Sequence, residues 1–205
     1  MMKIIKELFV LILFCFSNVS AFASTAINDN KPIIKITDLE QVGMVVPNLD
    51  QAMSNMWENF GIGPWKVLSF TPDRLSDVKY YHRASISGMK ISFCQVGKIQ
   101  LELIEPIGDD NAYRDFVNKY GNGIQHLGWY KTASEEDFFA TIKKLEDAGF
   151  PCIFEGRNQY AYFAYLDTTK ALNTILEVVF INDLNFKPDY IYPTEKISRA
   201  EDNEL

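Results

Sequence analysis

The sequence predicts an α+β fold in which two βαβββ modules form a cupped mixed sheet. The main observation is that strand-like and helix-like segments occur twice in the same order, at about 37–107 and 124–184. In addition, 47 % of the 205 residues are hydrophobic and 14 % are aromatic, enough for one full core. We therefore expect a single domain at 37–184, with each module contributing a small curved sheet.

The first module begins with an alternating strand at 39–46. Asn48 or Asp50 can cap the helix that follows, and Gly61 suits its C-terminal end. The charged, proline-marked segment 71–79 is interpreted as a polar loop, either a lid or a simple connection. Three strand-like segments complete the module, the last two joined by a turn at Gly97-Lys98: 65–70, 84–96 and 99–104.

The second module follows a short helix at 110–120 and a Gly-Asn-Gly turn. Its first strand carries His126, and Ser134 with Asp137 three residues later resembles a capping box for the next helix. That helix is expected to stop at Gly149. Three strand-like segments follow at 151–154, 159–166 and 174–180, and residues 185–205 form a tail that wraps the surface or frays.

The first 23 residues have the pattern of a secretory signal peptide. A basic start precedes an apolar run at 8–16 and a small-x-small site ending at Ala23, and the run is too short to be a permanent membrane span. We expect cleavage after Ala23, a periplasmic or secreted protein, and a polar arm at 24–36. Lipid attachment at Cys15 is disfavoured because Phe14 stands where processing needs a small residue.

Charge and cysteine content narrow the possible partners. The net charge is −7, and it becomes −8 when Lys3, Lys6 and Glu7 leave with the leader. An acidic exported chain is a poor partner for nucleic acid or, after cleavage, for a membrane surface. Cys94 and Cys152 remain; an oxidising compartment permits a disulfide between them, and two buried thiols are the slightly favoured alternative.

Each module has a polar residue on its first strand and a carboxylate on its last. These are Gln41 and Glu102, then His126 and Glu177. Strand alternation turns Glu102 away from the apolar face of its strand. A carboxylate on a half-buried strand needs a partner, and one imidazole nitrogen with three oxygens suits a divalent cation. The alternative is that both carboxylates pair with basic side chains, namely Lys90, Arg83 or Arg157.

Five short segments resemble, in order, the signatures of the vicinal oxygen chelate superfamily, which includes glyoxalase I and methylmalonyl-CoA epimerase. They are 41–50 (QVGMVVPNLD), 61–65 (GIGPW), 101–106 (LELIEP), 123–128 (GIQHLG) and 175–178 (ILEV). The resemblance implies paired βαβββ units around one metal, with Gln41, Glu102, His126 and Glu177 at the ligand positions. Glutamine at the first position is compatible with zinc, which is favoured over nickel, cobalt or manganese.

The resemblance also implies removal of a proton next to a carbonyl, with the metal stabilising the enediolate. We expect a glyoxalase-like lyase or isomerase acting on a small-molecule carbonyl substrate, with Glu177 as the base and Glu102 as a second base. A two-base epimerase is less well matched, because Lys90 occupies the position of its additional carboxylate and an exported enzyme is badly placed for a coenzyme A ester. A ring-cleaving dioxygenase is disfavoured because Gln41 breaks its iron-binding set.

The competing hypothesis is a metal-free small-molecule binding protein of the bleomycin-resistance type. Its walls would be aromatic: Tyr160, Tyr162, Phe163, Tyr165, Trp65 and Trp129. His82 is interpreted as a loop or strand-edge residue with a structural role, near the mouth of the site. The resemblance allows a homodimer, while the substrate and any thiol cosubstrate stay open.

Overall fold

A computed structural model describes residues 31–194 of the chain. The chain divides after Pro32, and every element described below lies in the second unit. The predicted signal peptide, most of the predicted arm and the end of the tail lie outside the described residues. None of the helices within 31–194 has the length and apolarity needed to cross a membrane.

The first half of the fold contains one helix and six strands. Asn48 caps the helix by accepting a 2.8 Å hydrogen bond from the backbone N–H of Gln51, and Gly61 ends it in the left-handed conformation. The elements in order are β1 (Gln41–Val45), α1 (Leu49–Phe60), β2 (Trp65–Phe70), a 3-10 turn (Pro72–Arg74), β3 (Ser76–Tyr80), β4 (Arg83–Ala84), β5 (Gly88–Val96) and β6 (Ile99–Ile107).

The second half repeats the pattern after a connecting helix. Ser134 accepts from the backbone N–H of Asp137 as the predicted cap, and the Asp137 carboxylate accepts from the N–H of Ala133, one residue before the position that a capping box uses. The elements are α2 (Ala112–Tyr120), β7 (Gly123–Trp129), α3 (Glu135–Asp147), β8 (Cys152–Arg157), β9 (Ala161–Leu166), α4 (Thr169–Leu172), β10 (Ile175–Ile181) and β11 (Tyr190–Tyr192).

The eleven strands of residues 31–194 form one mixed sheet, in the order β11-β2-β5-β6-β1-β7-β10-β9-β8-β3-β4. Each module's first strand pairs in parallel with its last, β1 with β6 and β7 with β10. This confirms the α+β fold and the repeated βαβββ order. The expectation of one small sheet per module is corrected, because β1 and β7 pair antiparallel and join the modules into a continuous sheet.

The segment 71–79 is not the polar loop that its charges suggested. Most of it forms a 3-10 turn and β3, which pairs antiparallel with β8 of the second module. Val78 and Tyr80 are buried, while Asp77 and Lys79 pair with Arg157 and Glu155 across the strands. In the sequence, the charged residues of the outer face thus obscure the alternation of buried and exposed side chains that is typical of a strand. The tail likewise supplies β11, which covers the edge of β2.

Helices α1 and α3 each cover one face of their own module. Leu49 and Met53 of α1 pack with Leu103 of β6, while Phe138 and Ile142 of α3 pack in a second cluster. The residues of the opposite face form the largest cluster, which draws on both modules. Glu102 and Glu177 line a cavity on this opposite face, where α2 also packs through Ala112 and Tyr113.

Cys94 and Cys152, the two cysteines within residues 31–194, are buried free thiols, and they belong to different core clusters. Burial raises the pKa of Cys94 to about 11 and that of Cys152 to about 12. The structure therefore supports the reading of two inert buried thiols rather than a disulfide.

Candidate metal centre

The register of the central strands brings the four polar residues together in two rows. Gly43 of β1 pairs with Glu102 on one side and with His126 on the other. Gly128 of β7 pairs in the same way with Gln41 and with Glu177. Directly paired residues point to the same face of a sheet, so each row presents two polar side chains on either side of a glycine.

The two glycines leave the space that these side chains occupy. A Cβ atom at Gly43 would lie 1.8 Å from Cε1 of His126, which is a severe overlap. A Cβ atom at Gly128 would lie 2.8 Å from Cβ of Gln41 and 3.0 Å from its Oε1. Both modules therefore carry the same arrangement, a polar residue followed two positions later by the glycine that makes room for side chains at the site.

Three oxygen atoms surround Nε2 of His126. Oε1 of Gln41 lies 3.3 Å away, and Oε2 of Glu102 and Oε2 of Glu177 each lie 3.4 Å away. Donor atoms bound to a tetrahedral zinc ion at about 2.1 Å lie about 3.4 Å from one another. The spacing around Nε2 is therefore that of the ligand shell of a small divalent ion.

Apart from His126, neither carboxylate has a partner for its Oε2 atom among the described residues. Oε2 of Glu102 and Oε2 of Glu177 are buried and accept no hydrogen bond from any described residue. Two of their proposed basic partners pair elsewhere, Lys90 with Glu105 and Arg157 with Asp77. The third, Arg83, is exposed on β4, the outermost strand at one edge of the sheet. Two orphaned carboxylate oxygens, an imidazole nitrogen and an amide oxygen fit a divalent cation, whose charge would balance both acids.

Gln125 orients the imidazole, and the sequence analysis did not single it out. Its Oε1 lies 2.7 Å from Nδ1 of His126 and accepts a hydrogen bond from it. Because Nδ1 is the donor in this bond, Nε2 is left directed at the three oxygens. Neighbours along a strand normally face opposite ways. Here the pairing with β1 skips Gln125, because Gly43 pairs with His126 and Met44 with Ile124. This bulge brings Gln125 to the histidine.

The two carboxylates give the site a strongly negative electrostatic potential when it holds no cation. Burial alone lowers the pKa of His126, but the charges of Glu177 and Glu102 outweigh it and raise that pKa to about 9 from its usual 6.5. Burial raises the pKa of Glu102; His126 opposes the rise and Glu177 adds to it. A proton on Nε2 therefore neutralises part of the negative charge of the two carboxylates, as a bound cation would.

The metal-free protein is expected to lose stability as the pH rises from 6.5 to about 9. The protonated His126 stabilises the fold fully below pH 6.5, and this contribution disappears as the proton leaves through the raised pKa. Urea unfolding of the chelator-treated protein and of His126→Gln at both pH values measures it. The variant should lack this part of the decline; equal slopes would contradict the assignment. Zinc affinity should rise over the same range, because zinc needs the deprotonated nitrogen.

A cavity of about 360 Å³ opens on the cluster. Gln41, Glu102 and Glu177 line it, and so do Tyr160, Phe163 and Tyr165 from the expected aromatic wall. The hydroxyl of Tyr113 donates a 2.8 Å hydrogen bond to that of Tyr165, whose ring meets the His126 ring edge-on. The prediction is wrong for the other three residues of that wall. Trp65, Trp129 and Tyr162 pack against core clusters on the helix side of the sheet.

Two further sequence expectations concern Lys90 and His82. Lys90 does not line the cavity; its neighbours Met89 and Ile91 do, with Phe93 beyond them on β5. The residues of β5 that line the cavity are therefore apolar, and Lys90 is not available there as an acid or base. His82 lies in the turn between β3 and β4, is exposed, and contacts Glu146 at 3.6 Å, away from the cavity.

Fold and site together define a paired βαβββ protein with a candidate metal centre between its modules. The family model described as Glyoxalase/Bleomycin resistance protein/Dioxygenase superfamily matches residues 40–165, more than half of the chain. The chain belongs to this superfamily, and the resemblance to the vicinal oxygen chelate proteins is thereby confirmed.

Solved structures with the same fold include two methylmalonyl-CoA epimerases. The enzyme from Mycobacterium tuberculosis is 20 % identical, with a TM-score of 0.51, and the match covers 71 % of this chain and 88 % of the other. A Streptomyces coelicolor enzyme in complex with 2-nitronate-propionyl-CoA is 15 % identical, with a TM-score of 0.52 and coverage of 73 % and 100 %. At such identities the likeness concerns the fold. A search among curated proteins found no match.

Proposed function

We propose that this protein is a divalent-metal-dependent lyase or isomerase that removes a proton from a carbon next to a carbonyl group. The observation that supports the proposal most is the pair of buried, unbonded carboxylate oxygens, each 3.4 Å from Nε2 of His126. Gln41, Glu102, His126 and Glu177 would hold the cation, and zinc is the proposed metal. When bound, the cation supplies a Lewis acid for the negative charge that develops on the carbonyl oxygen.

Two carboxylates allow a proton to be taken and returned. We assign the proton abstraction to Glu177 and a second acid–base role to Glu102, since both line the cavity that would hold the substrate. They stand in different rows of the sheet, each beside a glycine, and their ligand oxygens lie within 4.8 Å of one another, close enough to act on the same bound molecule. Phe163 and Tyr165 limit the access of water, which strengthens the electrostatic effect of both acids.

Metal content provides the test. Protein dialysed against zinc and then freed of excess ion should hold one zinc ion per chain, while His126→Ala should hold close to none, because the variant loses the only nitrogen ligand. His82→Ala is the matched control: it removes the chain's other histidine, which is exposed and pairs with Glu146. Plasma emission spectrometry measures the content. A parent protein without metal, or a His126→Ala variant that keeps it, would contradict the proposal.

A metal-free binding protein is the second candidate, and the apolar character of the cavity favours it. Phe70, Phe93, Phe163 and Phe186 line a large part of the wall, as in sites that hold small molecules without chemistry. This candidate predicts ligand binding that is indifferent to zinc. A parent protein that binds zinc and turns over methylglyoxal in the presence of a thiol would exclude it.

Two proposals concern the setting of the enzyme. The sequence of residues 1–23 leads us to propose export, with cleavage after Ala23, to the periplasm or the medium. A small-molecule carbonyl compound is the proposed partner, and a homodimer is compatible with the superfamily.

A further inference from the structure

No positively charged side chain lines the cavity next to the candidate metal centre within residues 31–194. Its charged lining residues are Glu102, Glu177 and Asp183, and within the described part of the chain no lysine, arginine or histidine is among the residues that line it. The remaining polar groups are amides and tyrosine hydroxyls. Away from the ligand cluster the wall consists mainly of aromatic and aliphatic side chains: Phe70, Met89, Ile91, Phe93, Phe163 and Phe186.

Three basic side chains near the wall are paired with acids, and the exposed Lys187 that follows Phe186 is not among the lining residues. Arg74, which stacks on Phe70, lies 3.2 Å from Asp189. Arg157 lies 2.7 Å from Asp77, and Lys90 lies 3.7 Å from Glu105. Away from the metal centre, an anionic group in the cavity would therefore lose its water shell without gaining a cationic side chain as partner, and it would also meet the charge of Asp183.

A segment at 182–189, here called the strap, links the two halves of the sheet beside the cavity. At one end the backbone N–H groups of Asn182 and Asp183 donate to the carbonyl of Tyr160. At the other, the N–H of Asp189 donates to the carbonyl of Val67, and its carboxylate accepts from the N–H of Ser69 at 2.7 Å. The strap is thus attached to β2 of the first module and to the segment before β9 of the second.

Phe186 is the aromatic side chain that the strap adds to the cavity wall. Its ring centroid lies 4.7 Å from that of Phe93 and 5.1 Å from that of Tyr160. The three rings line the cavity together and come from the tail, the first module and the second module. Such a site contacts an apolar group from several sides.

We propose that the cavity takes an uncharged carbonyl compound with an apolar, preferably aromatic, group, and that Phe186 is a specificity-determining contact for this group. The part that concerns the carbonyl rests on the proposed function; the preference for a neutral apolar group does not. The same arrangement disfavours thioesters and thiol adducts that carry phosphates or carboxylates.

The test uses two fluorescent probes that differ by one sulfonate, N-phenyl-1-naphthylamine and 8-anilinonaphthalene-1-sulfonate. The neutral probe should bind the purified, zinc-free protein at least about tenfold more tightly, since the sulfonate would be desolvated without a partner. Phe186→Ala should weaken the neutral probe about tenfold. Phe139→Ala, which removes an exposed ring on α3 that does not line the cavity, should leave the affinity unchanged.

A gain of function makes the test independent of damage to the fold. Ile91→Lys places a cation in the cavity wall and should reverse the preference, so that the sulfonated probe binds more tightly. Equal or tighter binding of the sulfonate by the parent protein, or no effect of Phe186→Ala, would overturn the proposal. Turnover of phenylglyoxal should be faster with neutral 2-mercaptoethanol than with anionic glutathione. Absence of turnover with both thiols would contradict the proposed function and leave the probe preference standing.

Discussion

Replacement of Glu177 by glutamine is expected to reduce turnover by about 1,000-fold, within the usual contribution of a positioned base. Glutamine keeps an oxygen beside His126 and nearly the same shape, but it cannot accept a proton from carbon. At saturating zinc the variant should therefore retain the ion and lose the reaction. In free energy, such a loss corresponds to about 4 kcal/mol of transition-state stabilisation.

The readout is kcat together with metal content, so that the two roles of Glu177 separate. A fall in kcat at constant zinc content identifies the base, whereas a parallel loss of both identifies only a ligand. Glu155→Gln is the matched control: it lies on β8, pairs with Lys79 and does not line the cavity, so kcat should be unchanged. Full activity of Glu177→Gln would transfer the assignment to Glu102.

Replacement of Gly43 by alanine is expected to disrupt the metal centre although no ligand residue is replaced. The added Cβ atom would lie 1.8 Å from Cε1 and 2.0 Å from Nε2 of His126, so the imidazole must leave its position between the three oxygens. Overpacking of this kind costs about 1–3 kcal/mol of stability. Zinc affinity should fall by about 100-fold, as for changes that misplace a metal-bound histidine.

Gly156→Ala separates overpacking from damage to the centre. Its Cβ atom would lie 2.9 Å from Cζ of Phe163 and 3.2 Å from Cγ2 of Val78, with no candidate ligand among its nearest contacts. Isothermal titration with zinc and urea unfolding are measured on both variants. Gly156→Ala should be destabilised yet bind zinc normally. Normal zinc affinity in Gly43→Ala would refute the view that this glycine provides the space for His126.

The repeat and the four polar residues were visible in the sequence because they depend on local patterns. Alternation along β6 separates Glu102 from the apolar residues that pack under α1, and it holds in the structure. A further signal was present and not used: Gln41-x-Gly43 and His126-x-Gly128 have the same spacing in both modules. The structure gives its reason, since each glycine faces a pair of the four side chains across the sheet.

Other features follow from contacts between residues far apart in the chain. The bulge that turns Gln125 towards His126 arises from the pairing of β7 with β1, and alternation along β7 alone predicts the opposite face. The charged residues of β3 argue against a strand in the sequence alone. In the structure, β8 lies beside them and supplies partners for Asp77 and Lys79. Phe186 reaches the cavity only because the strap is attached at both ends.

The sequence by itself determined the α+β class, the duplicated order of elements and the identity of the four polar residues, because helix caps, strand periodicity and motif order are local properties. The tertiary structure decided that the modules join through β1 and β7, that three oxygens face one nitrogen, and that the adjacent cavity is apolar and without positive charge. These facts depend on which strands pair and in what register, and register is set by packing between distant segments.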